Sequence, residues 1–328
     1  MKEDAEISRP TRFDVTSLGE TMLRMSVPQG ERLQQLSHLA VSPGGAESNV
    51  CAALAGLGRK CGWVSRLPNN PLGLSVLRAL KGAGVDVSSV GLVADERMGS
   101  YYVEFASPPR ATQVYYDRKG SAAAGMTADH VDWDYLLDTR VLHLTGITPA
   151  LSDSCRALAS EAVARARAAR VPVSLDINYR IRLWSRDEAS SCLLELARDV
   201  DILICGRADA ARLFDLTGDV RQTIEALQEL TRARSLVLTL AEEGAVALHD
   251  SQFLEQPSLG AEVVDKLGAG DAFAAGVLDG WLDGSLAQGL HRGAALAALA
   301  LSQSGDMLVS NREELTAVMA AGPERIVR

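Results

Sequence analysis

Short apolar runs alternate with longer helical patterns between residues 141 and 240, and this alternation constrains the fold more than any other feature. The apolar runs are Val141–Thr145, Val171–Ile177, Asp201–Cys205 and Leu236–Leu240. The helical patterns among them are Ser152–Ala169, Asp187–Arg198 and Glu225–Ala233. Continuous apolar strands separated by helices are typical of a parallel sheet that helices cover on both faces. The sequence therefore predicts a doubly wound α/β fold with right-handed crossovers.

The amino-terminal third has a different character. Met98–Phe105 and Ala111–Asp117 are rich in aromatic and β-branched residues, and Pro108-Pro109 lies between them. This pattern predicts two antiparallel strands joined by a loop. We expect a small β element beside the main sheet, where it would cover a site. No repeat or long linker divides the 328 residues, so we expect one domain.

Composition excludes several classes of protein. The chain has 33 Lys+Arg and 42 Asp+Glu, a net charge of −9, so it has no basic field for nucleic acid or an anionic membrane. No apolar run approaches the roughly 20 residues of a membrane span, and Met1–Pro10 has no apolar core typical of a secretory signal. The five cysteines are scattered without a C-x-x-C pair. We expect a soluble cytoplasmic protein with reduced cysteines.

The strongest local motif is Gly268-Ala269-Gly270-Asp271-Ala272-Phe273. It follows a strand-like run, Glu262–Val264, and precedes a helical pattern, Ala272–Leu282, that ends near Gly284. Free amides at a helix start, together with the helix dipole, suit a phosphate or a developing oxyanion. Asp271 would then be placed to accept a proton from a hydroxyl that attacks a phosphoryl group. Alone, the motif is equally compatible with a tight turn in which Asp271 caps the helix.

A second glycine motif is Pro43-Gly44-Gly45-Ala46-Glu47-Ser48-Asn49, ahead of a helical stretch over Val50–Leu57 and a stop at Gly58. Paired glycines permit close backbone approach to a ligand, and Asn49 offers both a donor and an acceptor. Polyol substrates need such mixed groups. Taken by itself, this motif is better explained by a loop followed by a helix cap.

A third cluster follows a predicted central strand. Asp176-Ile177-Asn178-Tyr179-Arg180 falls at the carboxyl end of that strand, where ligands bind in open α/β sheets. Arg180 and the Tyr116-Asp117-Arg118 run of the predicted strand pair offer guanidinium groups that match a carboxylate or phosphate. In an acidic protein they suggest an anionic substrate, although an ordinary surface arginine is the alternative.

Several well-known motifs are absent from the sequence. It contains no G-x-x-x-x-G-K-[ST], no metal-ligand spacing among its five histidines and no G-x-S-x-G. His143 lies inside a strand-like run and is expected in the core.

Together these motifs resemble the ribokinase-like (PfkB) carbohydrate kinases, from Leu18-Gly19-Glu20 to about Asp306. The amino-terminal signature of that family is similar to Gly44–Asn49, and its carboxyl-terminal signature is similar to Asp265 with Gly268–Phe273. Within the family, the chain looks most like the 2-keto-3-deoxygluconate kinases. The stretches that carry this likeness are Gly44–Asn49, Tyr115–Ala122, Leu142–Leu151, Asp176–Arg180 and Leu183-Trp184. The resemblance implies a ribokinase-like fold with a small β lid formed by segments near 18–42 and 98–120.

The resemblance also implies the roles of the site residues. Asp271 would be the catalytic base, and Asp209 would organise Mg²⁺ indirectly. The implied sugar-acid contacts are Gly44, Gly45, Asn49, Tyr101, Tyr116, Arg118 and Arg180. The implied ATP and anion-hole residues are Asn178, Thr239, Gly244, Gly268, Ala269 and Gly270. The implied cofactors are ATP and Mg²⁺, with a monovalent cation left open, and the expected assembly is a homo-oligomer, a dimer or larger.

Three departures from the family pattern keep alternatives open. Lys266-Leu267 stands where hydroxyl residues are frequent, Gly206–Asp209 stands where Asn-x-x-Glu is frequent, and Ala241 replaces a frequent glycine. The expected reaction is phosphorylation of the primary hydroxyl of a keto-deoxy sugar acid, most simply 2-keto-3-deoxygluconate. The alternatives are a kinase for a neutral ketose such as fructose, or a sugar sensor without turnover. A Rossmann dehydrogenase is disfavoured because no G-x-G-x-x-G opens a first βαβ unit.

Overall fold

The computed structural model describes residues 10–106 and 109–320, which contain thirteen strands and ten α-helices. The strands are β1 (Phe13–Leu18), β2 (Met22–Ser26), β3 (Ala40–Gly44), β4 (Cys61–Pro68), β5 (Val90–Val93), β6 (Ser100–Glu104), β7 (Gln113–Asp117), β8 (Thr139–Thr145), β9 (Val173–Asp176), β10 (Ile202–Gly206), β11 (Ser235–Thr239), β12 (Ala245–His249) and β13 (Gln252–Gln256). The helices are α1 (Ala46–Gly56), α2 (Pro71–Gly82), α3 (Trp133–Leu137), α4 (Asp153–Ala168), α5 (Arg186–Ala197), α6 (Arg207–Phe214), α7 (Val220–Thr231), α8 (Ala269–Leu282), α9 (Leu286–Leu301) and α10 (Arg312–Ala320).

Nine strands form the main sheet, in the order β13-β12-β11-β10-β9-β8-β1-β4-β5. All neighbours from β5 to β11 run parallel, whereas β12 and β13 extend the sheet as antiparallel strands. Each predicted apolar run between residues 141 and 240 is a strand, and each helical pattern among them is a helix. The prediction of a mostly parallel, doubly wound sheet is confirmed.

A second sheet has four strands in the order β3-β2-β6-β7. The antiparallel pair predicted from the aromatic runs is confirmed as β6 and β7, with Tyr101 opposite Tyr116. The β2 strand joins this pair to β3, running parallel to β6 and antiparallel to β3. Pro108, in the predicted loop between the strands, and the segment from Met1 to Arg9 lie outside the described residues.

Helices bury apolar side chains against both faces of the main sheet. One core packs α4 to α7 against residues such as Leu144 and Leu175, and the other packs α1, α8 and α9 against residues such as Val141 and Val237. Helices α4 to α7 thus cover one face and α1, α8 and α9 cover the other, and the helices between successive parallel strands form the crossover connections. His143 is buried between strands, as predicted, and burial lowers its pKa to about 4.

The segment before α8 corrects one prediction. Glu262–Val264 is not a strand, because the Val264 amide bonds to the carbonyl of Leu301 at the end of α9 and not to a neighbouring strand. All five cysteines are free.

A search of the described residues for a helix long and apolar enough to cross a bilayer finds none.

Candidate active site

A cavity of about 330 Å³ opens where the main sheet meets the small sheet. The carboxyl ends of three neighbouring parallel strands contribute Asp176, Gly206 and Thr239 to its wall. The residues of the predicted site that line it are Gly44, Gly45, Asn49, Tyr101, Tyr116, Arg118, Asn178, Arg180, Asp209, Thr239, Gly268, Gly270 and Asp271. Ala269 and Gly244 were also predicted in the site, but they do not line the cavity. Residues distant in the chain therefore come together at the edge where α/β sheets bind ligands.

Asp271 lies in the first turn of α8, with 8% of its surface exposed. The Asn49 side chain, on α1, donates from Nδ2 to Asp271 Oδ2 at 2.8 Å. Both helices begin beside the cavity, at Gly45 and at Gly268, so their free amides face the same region. The hydrogen bond orients the carboxylate and leaves Oδ1 for a ligand.

Burial changes the protonation of the acidic groups in the cavity wall. The pKa of Asp271 is raised to about 7 by burial, partly offset by the Asn49 hydrogen bond and the charge of Arg180. The pKa of Asp176 is raised to about 8 by burial and by the neighbouring charges of Asp271 and Asp209. A carboxylate with a pKa near neutrality is suited to accept a proton and later release it.

The turn that starts α8 depends on a glycine. Gly268 has φ of +83°, in the left-handed region, and a Cβ at this position would lie 2.0 Å from the carbonyl oxygen of Asp306. Only glycine combines this conformation with such close packing. The turn aims the amides of the following residues at the cavity, which is the arrangement expected of an anion hole.

The small sheet supplies an aromatic wall. The rings of Tyr101 and Tyr116 lie 5.7 Å apart between centroids, and the hydroxyl of Tyr101 donates to Asp306 Oδ2 at 2.5 Å. Gly44 packs against this hydroxyl, since a Cβ there would lie 2.2 Å from it. Aromatic faces with a few oriented polar groups suit a sugar-sized ligand.

The two predicted arginines have different environments. Arg118 is 8% exposed, and its Nε donates to Glu20 Oε2 at 2.7 Å, so its charge is balanced within the protein. Arg180 is exposed and lines the cavity, and its guanidinium forms no hydrogen bond or ion pair with the residues that the structure describes. Its positive charge nevertheless lowers the pKa of Asp271, Asp176 and Asp209, which partly offsets the effect of their burial. Arg180 is therefore the guanidinium available to an anionic ligand.

Four of the residues that the resemblance assigned to ATP line the cavity: Asn178, Thr239, Gly268 and Gly270. Asn178 has φ of +38°, and its backbone N–H donates to Asp176 Oδ1 at 3.2 Å. Lys266 lies on the rim, with its Nζ 3.7 Å from Glu242 Oε1. This contact connects the turn before α8 to the segment after β11. The ammonium group of Lys266 thus lies where hydroxyl side chains are frequent in the family that the sequence resembles.

The acidic side chains at the cavity bear on whether a metal ion could bind. Over residues 10–106 and 109–320, no group of three or more His, Cys, Asp and Glu side chains is arranged to hold a metal ion. Asp209 lines the cavity and accepts the amide of Tyr179 at 3.3 Å. A Mg²⁺ ion that keeps several waters and binds phosphate oxygens needs one or two such carboxylates, so Asp209 and Asp176 fit that limited role.

Sequence reasoning missed several residues in or behind the cavity. Glu20 and Asp306 line it, whereas Arg24 and Glu47 are buried behind it. Glu47 accepts hydrogen bonds from Thr145 and Thr148 at 2.8 and 2.7 Å. One sequence signal was available, the arginine inside the apolar run of β2, because a charged residue there must find buried partners. Asp306 stands in an irregular segment that carries no pattern.

The main sheet is doubly wound and carries a small second sheet at its carboxyl edge. A buried aspartate follows a glycine turn at the start of a helix. These features define the ribokinase-like class of α/β proteins. A model of the pfkB family of carbohydrate kinases matches residues 12–313. The chain therefore belongs to this family, and it is a phosphotransferase.

Individual relatives agree with this assignment. A 2-dehydro-3-deoxygalactonokinase of Haloferax volcanii is 35% identical over 316 residues, covering 96% of this chain and 99% of its own. The crystal structure of a 2-dehydro-3-deoxygluconokinase from Thermotoga maritima superposes with a TM-score of 0.88 at 30% identity, covering 94% of this chain and all of its own. A putative ribokinase II from E. coli, solved with ATP and Mg²⁺, has a TM-score of 0.85 at 22% identity and covers 94% and 99% of the two chains. This last likeness shows the fold alone.

Proposed function

We propose that the protein transfers the γ-phosphoryl group of ATP to the primary hydroxyl of a 2-keto-3-deoxy sugar acid. The observation that carries this proposal is the unpartnered guanidinium of Arg180 in the same cavity as Asp271. Of the other cationic side chains at the cavity, Arg118 pairs with Glu20 and Lys266 lies near Glu242, so Arg180 is the one without an ion pair among the described residues. A sugar acid carries a carboxylate that matches the planar fork of Arg180, whereas a neutral sugar offers the guanidinium no such partner.

The proposed chemistry follows from the placement of Asp271. The hydroxyl oxygen of the sugar attacks the γ-phosphorus, and the bond to the β–γ bridging oxygen breaks and leaves ADP. Asp271 accepts the hydroxyl proton at the oxygen that Asn49 does not occupy. The amides of the turn Gly268–Gly270 donate to the equatorial oxygens, where charge is largest in the transition state. Positioning and electrostatic stabilisation therefore supply most of the catalysis.

ATP would extend from the glycine turn past Thr239 toward the segment that ends at Gly244. When Mg²⁺ is bound, it neutralises charge on the phosphate oxygens. Asp209 and Asp176 would hold its waters, in keeping with the limited metal site described above.

We propose that the small sheet acts as a lid. Its residues Tyr101 and Tyr116, and Arg118 just after β7, line the cavity, so movement of β6 and β7 toward the sugar would exclude water and limit hydrolysis of ATP. The sheet also leaves strands β3 and β7 at its edges, with Val41 and Tyr115 exposed. Pairing along such an edge is the basis of the homo-oligomer that we propose.

A coupled assay of ADP release tests the substrate class. The acceptors are 2-keto-3-deoxygluconate, its C4 epimer 2-keto-3-deoxygalactonate, gluconate, fructose, ribose and adenosine, each with ATP and Mg²⁺. We expect turnover to be confined to the two keto-deoxy acids. A preference for fructose or ribose would contradict the carboxylate role of Arg180 and leave the kinase assignment intact. Binding without any turnover would favour a sugar sensor.

A neutral ketose is the second candidate, because Glu20 already balances the charge of Arg118. In that case Arg180 would face the phosphates of ATP instead of the sugar. The kinetic constants of a single variant separate these two possibilities.

Replacing Arg180 by glutamine is expected to raise KM for the keto-deoxy acid by about 10- to 100-fold, the value of one charge-assisted hydrogen-bonded pair. The KM for ATP should change little. Steady-state kinetics with each substrate varied in turn measure both constants. Arg186→Gln is the control, since Arg186 pairs with Asp215 on the exposed surface. A rise confined to the KM for ATP would place Arg180 at the phosphates.

A further inference from the structure

A buried arginine lies between the small sheet and the turn that starts α8. Arg24, in β2, has 2% of its side chain exposed and does not line the cavity. Its Nη2 donates to the carboxylate of Asp265, and its Nη1 donates to Asp306 Oδ1 at 2.5 Å. The ring of Phe105 lies against the guanidinium, 5.1 Å from Cζ to the ring centroid. The group is thus held between two carboxylates on one side and an aromatic face on another.

The two carboxylates belong to the segments that shape the glycine turn. Asp265 accepts the amide of Leu267 at Oδ1 (3.0 Å) and the amide of Gly305 at Oδ2 (3.2 Å). Asp265 therefore connects the turn before α8 to the segment after α9. That segment continues into Asp306, whose carbonyl packs on Gly268. Arg24 contacts the side chains of both segments where their backbones meet.

Arg24 also connects this junction to the sugar side of the cavity. Tyr101 is its register partner in the neighbouring strand β6, and both side chains bond to the same carboxylate, that of Asp306. Tyr101 lines the cavity, whereas Arg24 does not. The position of the aromatic wall and the position of the glycine turn are therefore set through one shared aspartate.

From these contacts we infer that Arg24 is a positioning residue for phosphoryl transfer, acting through Asp265 and Asp306 to hold the anion-hole turn in register with the small sheet. The inference rests on the function proposed above for the site. A guanidinium presents donors in a planar fork that spans two carboxylates, whereas the ammonium of lysine is a compact point charge. Loss of this fork allows the turn to shift, and a displacement of about 1 Å at reacting groups costs on the order of 100-fold in rate.

The test compares Arg24→Lys with a matched variant, Arg59→Lys. Arg59 is also largely buried, at 15% exposed, and bridges two aspartates, Asp279 and Asp283, at the far end of α8. Both substitutions keep the charge and remove the fork from a buried ion-pair cluster. Only the first cluster adjoins the cavity. Asp279 and Asp283 also pair with Arg292, so the melting temperature of each variant is measured beside its kcat. A general loss of stability would lower the melting temperature without lowering kcat of the folded protein, whereas loss of positioning would lower kcat in Arg24→Lys.

We expect Arg24→Lys to lower kcat on the order of 10- to 100-fold, with the KM for each substrate within about 3-fold of wild type. Arg59→Lys should keep kcat within about 2-fold. The acceptor is whichever sugar of the panel the wild-type protein phosphorylates fastest. Millimolar guanidinium ion should restore part of kcat to Arg24→Ala and none to Arg59→Ala. Equal losses in the Arg24→Lys and Arg59→Lys variants, or an unchanged kcat in Arg24→Lys, would overturn the inference.

Amide hydrogen exchange gives a readout that needs no substrate. The amides of residues 265–270 should exchange faster in Arg24→Lys than in wild type, and at the wild-type rate in Arg59→Lys. Unchanged exchange in Arg24→Lys would contradict the positioning role. If the wild-type protein phosphorylated none of the keto-deoxy acids, the proposed function would fail, and this exchange measurement would still decide the role of Arg24.

Discussion

Asp271→Asn is expected to lower kcat by about 10²- to 10⁴-fold, the range for loss of a general base. Asparagine keeps the shape of the side chain and an oxygen to accept the 2.8 Å hydrogen bond from Asn49. It does not accept the proton of the attacking hydroxyl. The geometry of the cavity is therefore retained while the proton transfer is lost, so substrate binding should survive with little change. Single-turnover measurements with ATP and the keto-deoxy acid separate the two effects.

The pH dependence of the wild-type enzyme provides a second check on this residue. The base must be ionised to act, and burial raises the pKa of Asp271 to about 7. The value of kcat/KM should therefore fall as pH decreases through about 7. The Asp271→Asn variant should lose this acidic limb. Asp283→Asn is the control: it makes the same substitution on an aspartate just after α8 that pairs with Arg59 and Arg292. A limb that persists in Asp271→Asn would assign this titration to another cavity group, such as Asp176, whose pKa is raised to about 8.

Stability should change in the opposite direction from activity. The pKa of Asp271 in the native state is about 7, against roughly 3.9 for an aspartate in an unfolded chain. The ionised side chain thus opposes folding, increasingly as pH rises from about 4 to 7. Asparagine removes this opposition, so the variant should melt at the wild-type temperature or above it at pH 8, and the gain should vanish near pH 4. A lower melting temperature at pH 8 would show that the carboxylate stabilises the fold.

The sequence was sufficient to predict the main sheet because its strands carry an unambiguous signal. Runs such as Val141–Thr145 are buried on both faces, and only a central strand of a parallel sheet needs apolar residues at every position. The aromatic pair β6 and β7 was predictable from a different signal, two runs of aromatic and β-branched residues on either side of a proline-containing loop. Glycines before α1 and α8 marked the two places where backbone approaches a ligand, and both places lie at the cavity.

The remaining features depend on contacts between distant parts of the chain. Glu262–Val264 reads as a strand by composition, but tertiary contact with the end of α9 satisfies its backbone instead. The pairing of Arg118 with Glu20 joins residues 98 positions apart, so sequence alone overestimated the charge available to a substrate. Asp306 meets Arg24 across 282 positions, and no periodic pattern encodes such a contact. Residues of this kind are found only once the fold has placed them.

Gly268→Ala is expected to lower both stability and turnover. A left-handed conformation costs a non-glycine residue about 1–2 kcal/mol, and forcing an added carbon into a packed site costs a further 1–3 kcal/mol or so. The new Cβ would lie 2.0 Å from a backbone oxygen that has no flexible end to move aside. The turn must shift to relieve this overlap, which moves the anion-hole amides. Loss of one such donor lowers kcat by about 10²- to 10³-fold.

Gly284→Ala separates the two contributions within the same helix. Gly284 follows the carboxyl end of α8 with the same φ of +83°, but a Cβ there would have nothing within 4 Å among the described residues. The free energy of unfolding of this variant should fall only by the conformational cost of about 1–2 kcal/mol, and its turnover should stay at the wild-type value. Urea unfolding and steady-state kinetics on both proteins make the comparison. Equal destabilisation with unchanged kcat in both would mean that the Gly268 turn does not hold the phosphoryl group, because its displacement would then leave the reaction untouched.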